Sequence, residues 1–365
     1  MIYLDNAATT KVTEPVLNAM MPYLLGEYGN PSSIYALGRK ARDAVEEART
    51  KVAHLINAEP EEIYFTSGGS EANNWALRAG NNVISAIEHP SIMRSYFGKT
   101  VSVDEGGVVD MGALTADIES GSWEVFSIMF ANNEIGTIQP IAEIGKKCRN
   151  YKKRRLLHTD AVQAFGHVPI DVKGMNIDML SASGHKIHAP KGVGCLYIRK
   201  KTPILPLIFG GHQENGMRAG TENVASIVGF GEAAYQAEIT MEERMKKTTK
   251  LRDHIWQRLY KETPNCFING DLVNRLPGNI SVTFEGISAE SLVFMLDKMY
   301  GVCISAGSAC SSGSITPSHV LKAIGLTDEQ AQATVRISLD ETLTMKEADY
   351  TVDYIKECVE RLRSC

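Results

Sequence analysis

The sequence lacks the features that direct a chain into a membrane or an export pathway. Its first residues, MIYLDNAATT, contain no basic segment and no long apolar stretch, so we expect no signal peptide. No window of the chain approaches 18 uninterrupted apolar residues, which argues against a transmembrane helix and a membrane partner.

Cysteine is scarce and is never arranged as a C-x-x-C pair. An odd number of scattered cysteines fits neither a disulfide framework nor a zinc site, so we expect a reducing, cytoplasmic setting and no metal. The pair His185 and His188 lacks a carboxylate or cysteine that would complete a metal site. The cysteines are Cys148, Cys195, Cys266, Cys303, Cys310, Cys358 and Cys365.

An excess of positive charge is also missing. The 365-residue chain carries a net charge of −5, which argues against direct nucleic-acid binding. The basic run KKRR at 152–155 is interpreted as a solvated turn. Hydrophobic residues make up 44% of the chain, which is ordinary for a globular protein. The length predicts two domains, or one large domain with an appendage.

Short apolar segments rich in β-branched residues alternate with helical patterns through the first two-thirds of the chain. This alternation predicts βαβ units and an α/β fold with a mainly parallel sheet. Ligands bind beyond the carboxyl ends of the strands in such sheets, so the residues after each strand are candidates for a site. The predicted strands are 63–67, 82–87, 125–131, 156–160, 179–183 and 194–198.

A polar, amphipathic helix is predicted over about 239–260, where the chain would pass into a second, smaller domain. That domain is predicted to contain strands over 279–286 and 333–339 and helices over 288–300 and 345–363.

Three of the predicted strands are followed by residues that suit an anionic cofactor. Gly69 and Ser70 open a helix, where backbone N–H groups can bind an anion, although a plain helix cap explains the same residues. Asp160 ends a strand, and Lys186 follows the next strand along the chain. A carboxylate can keep a pyridinium nitrogen protonated, and a lysine amine can form a Schiff base. Either residue alone has a structural explanation, but the combination favours a cofactor site.

The chain resembles the cysteine desulfurases of the NifS/IscS-like group, which are class V aminotransferase-type pyridoxal-phosphate (PLP) proteins. The resemblance rests on segments that follow one another in the same order over nearly the whole chain. They are LDNAATT (4–10), GNPSSIYALG (29–38), FTSGGSEANN (65–74), EHPSI (88–92), NNEIGTIQPI (132–141), HTDAVQ (158–163), SASGHKIHAPKGVG (181–194), GGHQENGMRAGTEN (210–223) and SAGSACSSGSITPSHVLKAIG (305–325).

This resemblance implies the PLP-dependent transferase type I fold and PLP as the cofactor. It implies a large PLP-binding domain over 13–245 and a small α+β domain made of 1–12 and 246–365, which carries the catalytic cysteine loop. It also implies a homodimer.

The resemblance implies a role for each matching residue of the cofactor site. Lys186 matches the lysine that bonds covalently to PLP, Asp160 the partner of the ring nitrogen and Gln163 the partner of the phenolate oxygen. Asn133 matches a side chain near cofactor and substrate, and His89 an imidazole that stacks on the ring as an acid or base. The phosphate-binding positions are Gly69, Ser70, Ser183 and His185, with Thr221 reaching the phosphate of the neighbouring subunit.

Two further residues match positions that act on the substrate. Arg336 matches the arginine that binds the substrate carboxylate, a task that suits a bidentate guanidinium. Cys310 matches the catalytic nucleophile, and its surroundings, SAGSACSSGS, are a composition for which we expect loose packing. By contrast, Cys303 lies in an apolar, strand-like run and is expected in a core.

The implied activity converts L-cysteine to L-alanine, with the sulfur held on Cys310 as a persulfide and passed to an acceptor protein. The acceptor would serve iron–sulfur cluster assembly or tRNA thiolation. Alternatives are a selenocysteine lyase, a class V aminotransferase, which would not need Cys310, and a PLP-binding regulator without catalysis.

The chain departs from the family pattern in a few places. Gly69-Ser70 stands where Ala-Thr or Gly-Thr is more usual, although serine keeps the hydroxyl. SLDETLT (338–344) lacks the Gly-Arg that often follows the arginine-containing strand. The sequence stops at RLRSC, where relatives dedicated to iron–sulfur scaffolds often carry a longer tail, so scaffold docking is not carried over.

Overall fold

The strands and helices below come from a computed structural model that describes residues 1–151, 155–307 and 317–364. The strands are β1 (Ile2–Tyr3), β2 (Ile63–Thr66), β3 (Asn82–Ser85), β4 (Gly98–Val101), β5 (Val125–Ser127), β6 (Leu156–Asp160), β7 (Met179–Ser183), β8 (Gly194–Ile198), β9 (Cys266–Ile268), β10 (Asn279–Phe284), β11 (Val302–Cys303), β12 (Ser305–Ala306) and β13 (Thr334–Ser338). The helices are α1 (Glu14–Leu25), α2 (Ala36–Leu55), α3 (Gly69–Ala76), α4 (Pro90–Met93), α5 (Met111–Ser120), α6 (Ile141–Asn150), α7 (Val224–Glu262), α8 (Ala289–Tyr300), α9 (His319–Ala323), α10 (Asp328–Gln332) and α11 (Met345–Arg363).

A sheet of seven strands, in the order β2-β8-β7-β6-β5-β3-β4, forms the centre of the larger half of the chain. The pairs β3–β4, β3–β5, β5–β6 and β6–β7 are parallel, whereas β8 is antiparallel to both β7 and β2. Every residue of β6, β7 and β8 is buried, because helices cover both faces of the sheet. The prediction of an α/β fold with a mainly parallel sheet is confirmed.

The register of β6 and β7 brings their carboxyl ends to one edge of this sheet. Asp160, the last residue of β6, lies opposite Ser181, and β7 continues to Ser183. The chain then forms a short 3-10 turn over Gly184–Lys186. The bounds predicted for both strands are those of the structure. Each strand begins with two large apolar residues and ends in a polar one.

A second, antiparallel sheet, in the order β12-β13-β10-β9, lies in the smaller half of the chain. Its core is filled by apolar side chains of α8, α11 and the end of α7. The observed helix α7 starts at Val224, earlier than predicted, because its first half is rich in buried Ala and Gly residues that pack against the large-sheet core. From Leu251 onward its buried residues join the small-sheet core. The domain boundary near residue 245 stays a prediction.

The N-terminal segment runs from a two-stranded sheet, β1-β11, past the end of β13 to the edge of the large sheet. Strand β1 pairs with β11, and the Leu4 amide donates to the Cys303 carbonyl. Asp5 then lies beside Ser338 at the end of β13, where the Asn6 side chain donates to the Ser338 carbonyl at 3.0 Å. Residues 5–8 therefore lie where the two sheets meet. No helix within the described ranges is long and apolar enough to cross a membrane.

Two predictions about single residues need correction. Arg155 was interpreted as part of a solvated turn, but its side chain is buried, with the guanidinium 5.0 Å from the ring centre of Tyr151. The guanidinium group is stabilised there by an aromatic face, which a sequence pattern does not reveal. Residues 152–154 of the same run lie outside the described residues. Cys303, expected in a core, is only partly buried.

Candidate active site

A cavity of about 420 Å³ lies where the carboxyl ends of the large-sheet strands meet the N-terminal segment and β13. This size falls within the range of small-molecule pockets. We call it the site cavity. Its walls include Asp5, Ala7, Ala8, Gly69, Ser70, Asn73, His89, Asn133, Asp160, Gln163, Ser183, His185, Lys186, Ser305 and Arg336.

The carboxylate of Asp160 is buried at the bottom of the site cavity and is held from two directions. Its Oδ2 accepts a hydrogen bond from the Asn73 side chain at 2.6 Å, and its Oδ1 accepts one from the Val162 amide at 2.9 Å. Asn73 lies one turn into α3 and also donates to the Ser91 hydroxyl at 2.9 Å. These bonds fix the orientation of a negative charge that faces the cavity.

Lys186 and Gln163 both contact the N-terminal segment. The Lys186 Nζ donates to the carbonyls of Ala7 at 2.7 Å and Ala8 at 2.6 Å, and the Gln163 amide donates to the Ala7 carbonyl at 3.0 Å. The turn after β7 directs the lysine into the cavity, so its ammonium group lies on the same side as Asp160.

The start of α3 forms a cradle for an anion on another wall. The first N–H groups of a helix have no partner within the helix, and its dipole favours negative charge there. A Cβ on Gly69 would lie 2.6 Å from Cγ2 of Val162, so the backbone approaches its neighbour as closely as only glycine permits. Burial, with help from the charges of Lys186 and Lys191, lowers the pKa of His185 to about 4, so its imidazole is neutral at pH 7.

His89 caps the short helix α4 and turns its ring toward the cavity. Its Nδ1 lies 2.7 Å from the Ser91 hydroxyl and accepts a hydrogen bond from the Ser91 amide at 3.1 Å. Burial lowers its pKa below the ordinary value; the charge of Asp160 opposes this shift, and that of Lys186 adds to it. The ring is therefore neutral at physiological pH and can accept a proton.

Arg336, in the middle of β13, closes the opposite side of the cavity. Its Nη2 is 2.7 Å from Oδ1 of Asp5, and its Nη1 donates to the Asn133 carbonyl at 3.2 Å. The side chain is only 6% exposed, and among the described residues its buried Nε has no hydrogen-bond partner. Asn133 therefore contacts Arg336 through its backbone carbonyl, and it is also one of the residues that line the site cavity.

Two buried carboxyl groups lie just behind these side chains. Burial raises the pKa of Glu88 to about 8, although bonds from the Ser85 hydroxyl and the Met129 amide to its Oε1 oppose the shift. Burial likewise raises the pKa of Glu134 to about 7, against the effect of the Ser318 hydroxyl, which donates to it. Glu88 is protonated at pH 7.

The structure brings together every predicted site residue that it describes, except Thr221. Thr221 is exposed and does not line the site cavity of its own chain. Cys310 lies outside the described residues. Sequence reasoning missed Asp5 and Asn73, although both lie inside the quoted motifs LDNAATT and FTSGGSEANN. The spacing of Asn73, four residues after Gly69 on one helix face, could have indicated it.

His185 and His188, considered above as a metal pair, bond instead to the N-terminal segment. The His185 Nδ1 is 3.2 Å from the Thr9 hydroxyl, and the His188 Nδ1 donates to the Lys11 carbonyl at 2.9 Å. Within the part of the chain that the structure describes, no three His, Cys, Asp or Glu side chains are grouped to hold a metal ion.

The site cavity fits PLP by the chemistry of its walls. It presents a fixed carboxylate for a protonated ring nitrogen, a lysine for a covalent bond and a helix start for a phosphate. Two buried polar atoms, Oδ1 of Asn73 and Nε of Arg336, have no partner among the described residues, so the site has bonding capacity left for ligands.

Known proteins with similar sequences and structures agree with this site. The aminotransferase class-V family profile matches residues 2–351. The chain is 44% identical to a cysteine desulfurase of Nostoc sp. strain PCC 7120, over 100% of this chain and 94% of that protein. It is 45% identical to the cysteine desulfurase IscS of Methanosarcina thermophila, over 100% of this chain and 93% of that protein.

Solved structures give the same result. A NifS-like protein superposes with a TM-score of 0.91 at 37% identity and covers 99% of this chain and 100% of its own. The protein SspA, solved in complex with cysteine, superposes with a TM-score of 0.79 at 34% identity and covers 93% of this chain and 99% of its own.

The chain therefore belongs to the aminotransferase class-V family of PLP-dependent enzymes. Within that family it belongs with the cysteine desulfurases of the NifS/IscS-like group.

Proposed function

We propose that this enzyme removes sulfur from L-cysteine, holds it as a persulfide on Cys310 and releases L-alanine. The observation that carries the proposal is the site cavity, where a carboxylate, a lysine, a neutral histidine and a carboxylate-binding arginine face one another. A relative solved with cysteine, SspA, supports the choice of substrate.

PLP would be held by Lys186 through a covalent bond, by Asp160 at its ring nitrogen and by Gln163 at its phenolate oxygen. Its phosphate would be bound by Gly69, Ser70, Ser183 and His185 at the start of α3 and the end of β7. When bound, PLP supplies an electron sink for the electrons that remain when the substrate Cα loses its proton.

The chain's own residues hold the substrate and move its protons. Arg336 binds the substrate carboxylate, which fixes the amino acid in one orientation. The Lys186 amine, once the substrate amine has displaced it, takes the proton from the substrate Cα. His89, neutral because of its lowered pKa, accepts the proton of the substrate thiol.

Sulfur transfer needs no outside oxidant. The Cys310 thiolate attacks the substrate sulfur, so an S–S bond forms as the C–S bond breaks. The electron pair of the C–S bond stays on the carbon, which takes up a proton and leaves as L-alanine. A thiol reductant or an acceptor protein then removes the sulfur from the persulfide.

Other cysteines are poor candidates for this nucleophile. Burial raises the pKa of Cys148 to about 12 and also raises the pKa values of Cys195, Cys266 and Cys358. These thiols stay protonated at pH 7, and the thiolate is the reactive form.

The proposal extends to the assembly and the setting of the enzyme. It includes a homodimer in which Thr221 reaches the partner's phosphate; the exposure of Thr221 outside its own cavity supports this. It places the enzyme in the cytoplasm with an acceptor protein of iron–sulfur assembly or tRNA thiolation.

The test is to measure L-alanine formed from L-cysteine, with dithiothreitol present, by the wild type and by Cys310→Ala. We expect Cys310→Ala to bind PLP normally, as judged by absorbance, and to lose at least about 100-fold in alanine formation. Lys186→Ala is the matched variant that should lose both alanine formation and the absorbance of bound PLP.

Equal rates for the wild type and Cys310→Ala would contradict a persulfide on Cys310. A wild type that binds PLP but forms no alanine would favour the class V aminotransferase or the regulator. A selenocysteine lyase would be recognised by a strong preference for selenocysteine over cysteine in the same assay.

A further inference from the structure

Arg336, the arginine expected to bind the substrate carboxylate, is already paired with the carboxylate of another residue, Asp5. Oδ1 of Asp5 lies 2.7 Å from Nη2 of Arg336, inside the site cavity. The Asp5 side chain is 21% exposed and that of Arg336 is 6% exposed, so the pair is largely shielded from water. A guanidinium buried this far needs a counter-charge, and Asp5 provides it.

The pair is held through a single contact rather than through the two parallel bonds that arginine and a carboxylate can form. Arg336 uses Nη2 for Asp5 and Nη1 for the Asn133 carbonyl, while its buried Nε has no partner among the described residues. The guanidinium can therefore accept a second, better-aligned carboxylate without first losing all of its present contacts.

Asp5 cannot move far from this position, because its backbone is fixed on both sides. On one side, the Ser338 amide donates a hydrogen bond to the Leu4 carbonyl at 2.8 Å. On the other side, the Ala7 amide donates a hydrogen bond to the Ser338 hydroxyl at 2.9 Å. Ser338 lies two residues after Arg336 on the same strand. The Asp5 carboxylate thus stays near the guanidinium when a substrate carboxylate arrives.

We propose that Asp5 is a positioning residue that acts as an exchangeable counter-ion of Arg336. It holds the guanidinium when no amino acid is bound and yields it to the α-carboxylate of the substrate. Asp5 therefore lowers the affinity for both L-cysteine and L-alanine and speeds the release of the product. This inference rests on the proposed function, because that function makes Arg336 the carboxylate-binding residue.

The test is the equilibrium binding of L-alanine to the PLP-loaded enzyme, measured by isothermal titration calorimetry. Asp5→Asn keeps the shape of the side chain but removes its charge. We expect a dissociation constant about tenfold lower than that of the wild type, since two carboxylates a few ångströms apart repel each other. In steady-state kinetics the KM for L-cysteine should fall while kcat does not rise, and inhibition by L-alanine should strengthen.

Two controls separate this role from a structural one. L-alaninamide lacks the carboxylate, so Asp5→Asn should not bind it more tightly than the wild type does. Asp43→Asn makes the same charge change on the exposed face of α2 and should leave L-alanine binding unchanged. Asp5→Ser removes the charge through a different side chain and is the second variant for the same titration if Asp5→Asn folds poorly.

An unchanged or higher dissociation constant for L-alanine in Asp5→Asn would overturn the inference and leave Asp5 as a residue that merely orients Arg336. Tighter binding of L-alaninamide would overturn it as well. Failure of the proposed function is distinguishable, because it would appear as a wild type that forms no alanine from L-cysteine, whereas the L-alanine titration needs no turnover.

Discussion

At the residue scale, the site depends on side chains whose ionisation differs from that of the free amino acids. Burial keeps His89 and His185 neutral and keeps a proton on Glu88 at pH 7. The carboxylate of Asp160 is held in one orientation by hydrogen bonds from the Asn73 side chain and the Val162 amide. Acid and base roles are therefore assigned by the surroundings of each group rather than by its type.

Glu88 should make the stability of the enzyme depend on pH. The folded chain keeps a proton on Glu88 between pH 4.5 and about 8, whereas the unfolded chain has released it, so stability falls as the pH rises through this window. The slope from one such group is at most about 1.4 kcal/mol per pH unit. Glu88→Gln, which imitates the protonated acid, should reduce the loss of stability between pH 5.5 and 8.

Urea denaturation of both chains at pH 5.5 and pH 8 measures this effect. Glu105→Gln, a change of the same kind on an exposed loop, should retain the pH dependence of the wild type. If Glu88→Gln lost as much stability over this window as the wild type, the buried proton would have to reside on another group, such as Glu134.

At the element scale, the site is built by strand ends and one helix start. The strands β6 and β7 could be predicted residue by residue, because each is a short segment that begins with two large apolar residues and ends in a polar residue. The start of α7 could not be predicted in the same way, because its first half packs through small residues whose burial depends on α1 and α2.

The close approach of α3 to the segment after β6 predicts that a larger residue in place of Gly69 is unfavourable. In Gly69→Ala the new Cβ would lie 2.6 Å from Cγ2 of Val162, a stiff β-branched side chain whose amide holds Asp160. We expect a stability loss of about 1–3 kcal/mol and clearly weaker PLP binding. Thermal unfolding and titration of the PLP-free chain with PLP measure the two effects.

Gly26→Ala is the matched control for this substitution. Gly26 ends α1, and a Cβ built there meets nothing within 4 Å. If Gly69→Ala bound PLP as tightly as Gly26→Ala does, the start of α3 would tolerate a methyl group, and the close approach to Val162 would not matter for PLP binding.

At the scale of the whole molecule, a buried ion pair joins α2 to the loop that leads to Thr221. Arg49 Nη1 and Nη2 lie 2.8 Å and 3.0 Å from the two carboxylate oxygens of Glu214, and the Phe65 amide also donates to Glu214 at 2.9 Å. Nearby, Arg218 pairs with Glu71 of α3 at 2.9 Å. The loop is therefore fastened to the large sheet by charged contacts far apart in the sequence.

Glu214→Ala should destabilise the enzyme by up to about 3 kcal/mol, because Arg49 loses its buried bidentate partner and keeps only the more exposed Glu46 as a counter-charge. The urea midpoint of unfolding measures this loss. Glu242→Ala removes an ion pair with Lys246 that is exposed on α7, and we expect no measurable change there. Equal effects of the two substitutions would contradict a special role for the buried pair.

The sequence by itself determined the fold class, the bounds of β6, β7 and β8 and the residue types of the cofactor site. It could do so because the spacing of hydrophobic residues and the polar residues at strand ends are local properties of the sequence. In addition, each motif that carries the resemblance is a continuous stretch of the chain. Only the tertiary structure decided which distant groups meet. Asp5 and Arg336 are far apart in the chain, yet they form an ion pair because β1 and β13 belong to neighbouring sheets. Arg155 is buried and Glu88 retains its proton for the same reason, since the surroundings of a side chain depend on how sheets and helices pack.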